Sequence, residues 1–264
     1  MEKLIKTSRA FFGIGIVGIG VQQFIYSDFR PVLLEQWPSW LPWLKVWAYI
    51  TGAALILAGV IITFSKNAPK TALISGVAFL VFFLIFHVTY QLFDSPYPFA
   101  LGSWTNPLKE LAFSGGAFVI LASYRWGKNT NGDGFRTRLA DIFIPYGKIF
   151  FSIMMIVFGL DHFLYTQFVA TLVPLWIPWH LFWTYFAGIA LMGSGICIMF
   201  KIQLKLVGML LGIMLFIWFV ILHIPRALAD PYIDKGNEVT SVFEALAYSG
   251  VAFLIACTPK RGLL

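Results

Sequence analysis

V-W-A-Y-I-T-G-A-A-L at 46–55 and F-W-T-Y-F-A-G-I-A-L at 182–191 decide the reading of this chain. Each follows an aromatic–proline turn, W-L-P-W at 40–43 and W-I-P-W at 176–179. The copies lie 136 residues apart, and at that spacing His87 falls on His223 and Asp94 on Asp230. Working outward, G-V-Q-Q-F-I-Y at 20–26 matches G-L-D-H-F-L-Y at 159–165. Likewise L-A-F-S-G-G-A-F at 111–118 matches L-A-Y-S-G-V-A-F at 246–253. Small shifts of offset between these pairs read as loop insertions, so the chain is expected to be a tandem repeat.

Composition says what is repeated. Of 264 residues, 59% are hydrophobic and only 12% charged, against about 25% charged in a soluble domain. A soluble fold of this size has too little interior to hide that much apolar surface. A membrane-crossing helix needs about 20 mostly apolar residues. Eight stretches qualify: 10–27, 44–64, 71–93, 107–124, 146–166, 181–200, 204–224 and 239–257. The first follows Lys3, Lys6 and Arg9 like a signal peptide, but no small-x-small cleavage site comes after it, so it reads as a retained span. The expected fold is an all-α membrane protein: eight transmembrane helices forming two pseudo-symmetric four-helix bundles. Four spans per repeat is an even number, so the repeats run in parallel about an axis along the membrane normal. Residues 1–124 form the first repeat and 146–264 the second. Between them, 125–145 is a cytoplasmic linker whose N-T-N-G-D-G run at 129–134 favours turns.

The net charge of +7 is an orientation signal rather than a nucleic-acid footprint. With the termini, the 2–3 and 6–7 loops and the central linker on one side, that side holds fourteen of the nineteen basic residues and three of the twelve acids. The opposite side holds five basic residues and nine acids. The positive-inside rule therefore places both termini in the cytoplasm and the protein in the plasma (inner) membrane, with the lipid bilayer as its first partner. Cys197 and Cys257 lie 60 residues apart in apolar stretches, without a C-x-x-C pair, and read as small buried hydrophobes.

Ionisable residues inside spans are costly and mark candidate sites. His87, Gln91 and Asp94 follow i, i+4, i+7 spacing and would share one helical face. The seventh span offers His223 and Asp230 at the same places, with Arg226 between them and Pro225 expected to kink the helix. Glu110 and Glu244 enter the same zone from spans 4 and 8, one register position apart, since Lys109 aligns with Glu244. Either carboxylate could instead be a first-turn acid favoured by the helix dipole. Asp161 and His162 stand where the first half has Gln22 and Gln23. The candidate acid–base groups are thus His87, His223, Glu110 and Glu244, with Asp94, Asp161, His162, Arg226 and Asp230 around them. Tryptophans gathered at 37–47 and 176–183 read as an interfacial aromatic belt, or as the mouth of a site for a flat apolar ligand.

The G-x-x-x-F first span, the aromatic–proline outer loop, the histidine closing the third span and the small-residue fourth span resemble the DoxX family, in a form with two fused four-helix units. Nearly the whole chain takes part. The resemblance implies an accessory or quinone-interacting role in a membrane redox system, with a membrane or extracytoplasmic redox protein as partner. One departure stands out: single-unit members often carry a carboxylate in the second helix, and spans 2 and 6 contain none. That departure favours a second reading, a non-enzymatic assembly or interaction protein. A small-solute transporter and a bis-histidine haem protein using His87 and His223 are further readings. No H-E-x-x-H, phosphate-binding glycine loop, C-x-x-C-H or nucleophile elbow occurs, so hydrolase and nucleotide-driven pump readings have no support.

Overall fold

A computed structural model describes residues 1–35, 42–125 and 135–259, apart from the side chains of Phe135 and Arg136. Trp40 and Leu41 of the first aromatic–proline turn, and the 129–134 turn run, lie outside the described residues. Helices and turns make up everything described. The elements are α1 (Glu2–Tyr26), α2 (Leu44–Phe64), α3 (Ala68–Phe82), α4 (Thr105–Arg125), α5 (Phe135–Leu164), α6 (Thr166–Leu172), α7 (His180–Met199), α8 (Leu204–Trp218), α9 (Ile224–Ala229) and α10 (Asn237–Ala256). α3 continues through π-helical turns at Phe83–Val88 and Tyr90–Asp94, and a third π turn, Phe219–His223, joins α8 to α9.

Seven of these helical runs are long and apolar enough to cross a membrane. α4 falls outside that group because Lys109 and Glu110 dilute its hydropathy. Its setting explains how it tolerates them. Every residue from Pro107 to Leu121 is buried, so α4 is wrapped by other helices and presents no apolar face of its own to lipid. α10 is the next most enclosed, with 72% of its apolar window buried. These two helices meet at the centre. α3 and α5 flank α4, α1 and α8 flank α10, and α2 and α7 pack outside α1 and α5.

The halves of the chain therefore interlock. α1 leans mainly on α10 rather than on α4, and α4 leans on α5, so neither quartet closes on itself as the sequence reading expected. Small residues allow the close approaches. A Cβ added at Gly115 would stand 2.6 Å from the Gly147 carbonyl oxygen of α5. One at Gly20 would stand 2.6 Å from the Gly52 carbonyl of α2, and one at Gly159 the same distance from the Gly188 carbonyl of α7.

Two departures from the expected boundaries bear on the site. α5 begins at Phe135, not at 146, so helix replaces much of the expected linker and Pro145 lies inside it. Hydropathy marks only the lipid-immersed part of a helix, and here the polar turns before it stay helical. At Pro225 the anticipated break takes the form of the π turn Phe219–His223, with the proline in the first turn of α9, where its missing N–H costs little.

Candidate functional site

Both repeated histidines sit in π-helical turns, an arrangement often found where a helix is bent to functional use. The wider turn also corrects the expected face. With i→i+5 bonding the chain rotates less per residue than an α-helix, so seven residues no longer return to the same side. His87 and Gln91 point inward and are buried, whereas Asp94 is exposed. Gln91 donates from Nε2 to the Ser103 carbonyl at 2.7 Å. Asp230, at the end of α9, is exposed as well. Neither aspartate joins the cluster.

His87 is fully buried, with Nε2 3.1 Å from the Val32 carbonyl oxygen and 3.2 Å from Glu110 Oε2. A carbonyl can only accept, so Nε2 carries the hydrogen in this contact. Among the described residues, His87 Nδ1 and both Glu110 oxygens have no hydrogen-bond partner, although Glu110 is also fully buried. A bare carboxylate in such surroundings is costly. The segment that supplies Val32 is packed inward. Phe29, Val32, Leu33 and Leu34 are all buried, and Arg30 is the largest fully buried side chain among the described residues. The Arg30 guanidinium lies 4.2 Å over the Tyr26 ring and donates to the Lys235 carbonyl. Residues 27–35 thus form a plug over His87.

Glu244 lies one step along the centre, where its Oε2 meets Lys109 Nζ at 2.9 Å with both side chains buried. Tyr248 donates to the Lys109 carbonyl at 2.8 Å, joining α10 to α4 a second time. His223 is half-buried, and its Nδ1 has no partner among the described residues. Arg226 makes a two-pronged ion pair with Glu238, Nε to Oε2 at 2.9 Å and Nη2 to Oε1 at 2.6 Å. Asp161 Oδ1 is inaccessible and unpartnered. The His162 ring is nearly parallel to Trp218, 6.4 Å away, with Nδ1 2.7 Å from the Phe158 carbonyl oxygen.

The structure thus joins His87 to Glu110 and Glu244 to Lys109, and sets Arg226 on a partner the sequence reading did not single out. That reading also missed Glu238, Tyr248, Trp218 and the buried Arg30. One signal was present: opposite charges at matched positions, Lys109 and Glu244, are what two central helices meeting near an axis would pair. Bis-histidine haem ligation does not fit. His87 Nε2 is engaged by Val32, and its Nδ1 is sealed from any ligand. No family model, curated protein or solved structure matches the chain.

Proposed function

We propose that the chain is a DoxX-like integral membrane protein that serves a membrane redox system as an accessory or quinone-interacting component, with an acid–base site at the outer ends of α4 and α10. The single observation behind this reading is Glu110: a fully buried carboxylate without a hydrogen-bond partner, 3.2 Å from a fully buried histidine. Such an arrangement is hard to justify by stability and suits a proton exchanged with a ligand. A quinone, when bound, supplies two-electron chemistry coupled to protons. The donor set suits one, since His87 and Glu110 stand together and His223, the repeat counterpart of His87, is the less enclosed of the two.

The same reading takes α4 as an eighth span and the two halves as parallel repeats, with both termini cytoplasmic in a plasma membrane. Matched geometry supports the repeat. Trp43 and Trp179 both take left-handed backbone, at φ 64 and 60, immediately before α2 and α7. The Ser114 hydroxyl donates to the Gly76 carbonyl at 2.8 Å, and the Ser249 hydroxyl to the Gly212 carbonyl at 3.1 Å.

The test is complementation. Deleting the gene should lower quinone-dependent oxygen uptake by membranes, and the native chain should restore it. A His87→Phe/His223→Phe chain that reaches the membrane in normal amount should fail to restore it; full recovery overturns the proposal. One observation favours a second reading, a non-enzymatic assembly protein: the Lys109–Glu244 and Arg226–Glu238 pairs satisfy one another and need no ligand. In that case a membrane partner co-purifies with the double variant as well as with the native chain.

A further inference from the structure

The two halves treat the space beside their histidine differently. In the register set by 20–26 and 159–165, Phe29 corresponds to Phe168 and Val32 to Thr171. In the first half the Val32 carbonyl meets His87, and Phe29 is 4% exposed. In the second half the corresponding residues form the separate helix α6. Phe168 is 67% exposed there, and the Thr171 hydroxyl is spent on the Phe168 carbonyl at 2.6 Å. No hydrogen bond joins α6 to His223 among the described residues; its Nδ1 has no partner there, and the residue is less enclosed than His87. The flanking residues differ in the same sense. Gln22 and Gln23 accept hydrogen bonds from Thr240 and Thr51, whereas their counterparts are Asp161, with an unpartnered oxygen, and His162, beside Trp218.

The plug itself describes what fits such a place: a carbonyl oxygen on the histidine and an apolar body packed behind it. We propose that the second half keeps open the seat that the first half fills with its own chain, and that this seat binds a lipophilic molecule through a carbonyl oxygen accepting a hydrogen bond from His223. Trp218 and His162 form its aromatic wall. This inference rests on the acid–base reading above and adds to it a place and a mode of binding for the ligand.

The experiment follows thermal unfolding of the purified full chain in detergent. Decyl-benzoquinone is one probe, and decylcyclohexane, with the same tail and no carbonyl, is the other. A molecule that binds only the folded chain raises Tm in a saturable way. Decyl-benzoquinone should do so and decylcyclohexane should not. His223→Phe should raise the concentration needed roughly tenfold, the worth of one net hydrogen bond. His223→Asn, which keeps a donor, should recover most of the response, and His180→Phe, at the start of α7, should leave it intact. An equal response to both probes overturns the proposal, as does no response at all or a response untouched by His223→Phe. Failure here is separable from failure of the redox reading. A His223-dependent response in a protein whose double variant still restores oxygen uptake upholds the seat and removes the redox role.

Discussion

Lys109 and Glu244 stand at matched positions of α4 and α10 and meet at 2.9 Å with almost no solvent around them. Desolvating both charges offsets most of their attraction, so the pair adds little net stability, yet neither member tolerates loss of the other. Lys109→Met should destabilise the fold by about 3–5 kcal/mol by stranding a buried carboxylate. Adding Glu244→Met should recover most of that in a thermal or denaturant melt, and additive losses would show that the pair is not coupled. Glu35 offers a pH signature outside the spans. Burial raises its carboxyl above the ordinary value of 4.5, opposed by a 2.9 Å hydrogen bond from Asn106 and by Lys109. A raised folded-state value means the folded chain holds this proton more tightly than the unfolded chain does. Stability from this group is therefore full in acid and declines as pH climbs from about 4.5 through the raised value. Glu35→Gln should flatten that decline in melts taken from pH 4 to 8, and an unchanged slope would exclude Glu35 as its source. The types and positions of His87, Glu110, His223 and Glu244 were legible in the sequence. Which of them touch was not, because contacts between helices depend on how α4 and α10 meet, and no residue spacing within one helix encodes that.

The helices themselves were legible where lipid dictates composition and illegible where protein replaces lipid. α2, α7 and α8 read cleanly because each must be apolar to face a bilayer. The stretch 107–124 read as a span on its apolar run, and Lys109 and Glu110 are carried there because α4 is enclosed by other helices. The π turns were invisible to a pattern search that assumes 100° per residue, and they explain why Asp94 left the face of His87. Glycine crossings supply a test at this scale. Gly20 approaches the Gly52 carbonyl and Gly159 approaches the Gly188 carbonyl so closely that any side chain must push the helices apart. Gly20→Ala and Gly159→Ala should each lower stability by about 1–3 kcal/mol, the usual range for overpacking. Gly193, with nothing within 4 Å of an added Cβ, should accept alanine with a slight gain in helix propensity. Equal behaviour of all three variants in a melt would mean the crossings are looser than these distances require.

At the scale of the whole molecule, two interlocked quartets behave as one body, because α1 and α4 each find their main between-half neighbour in the other quartet. Splitting the chain after the first quartet would bare the glycine faces of α1 and α4 that α10 and α5 now cover. The proposed orientation in the bilayer rests on charge rather than packing: with eight spans, fourteen of nineteen basic residues fall on the side of the termini. The two ends of α4 carry opposite expectations. Its Asn106 end, bonded to Glu35, belongs outside, and its Arg125 end, which pairs with Asp141 of α5, belongs in the cytoplasm. Cysteine labelling reads this directly once Cys197 and Cys257 are replaced by alanine. Asp94→Cys and Asp234→Cys should react with a membrane-impermeant maleimide added to intact cells. Asp141→Cys, exposed in the fold, should react only after the cells are opened. Each substitution removes an exposed carboxylate worth little to stability, so the reporters should not disturb the fold they report on. An odd number of crossings would put Asp141 and the N-terminus on opposite sides of the membrane. Labelling of Asp141→Cys in intact cells, with Asp94→Cys silent, would invert the molecule and turn the histidine sites toward the cytoplasm.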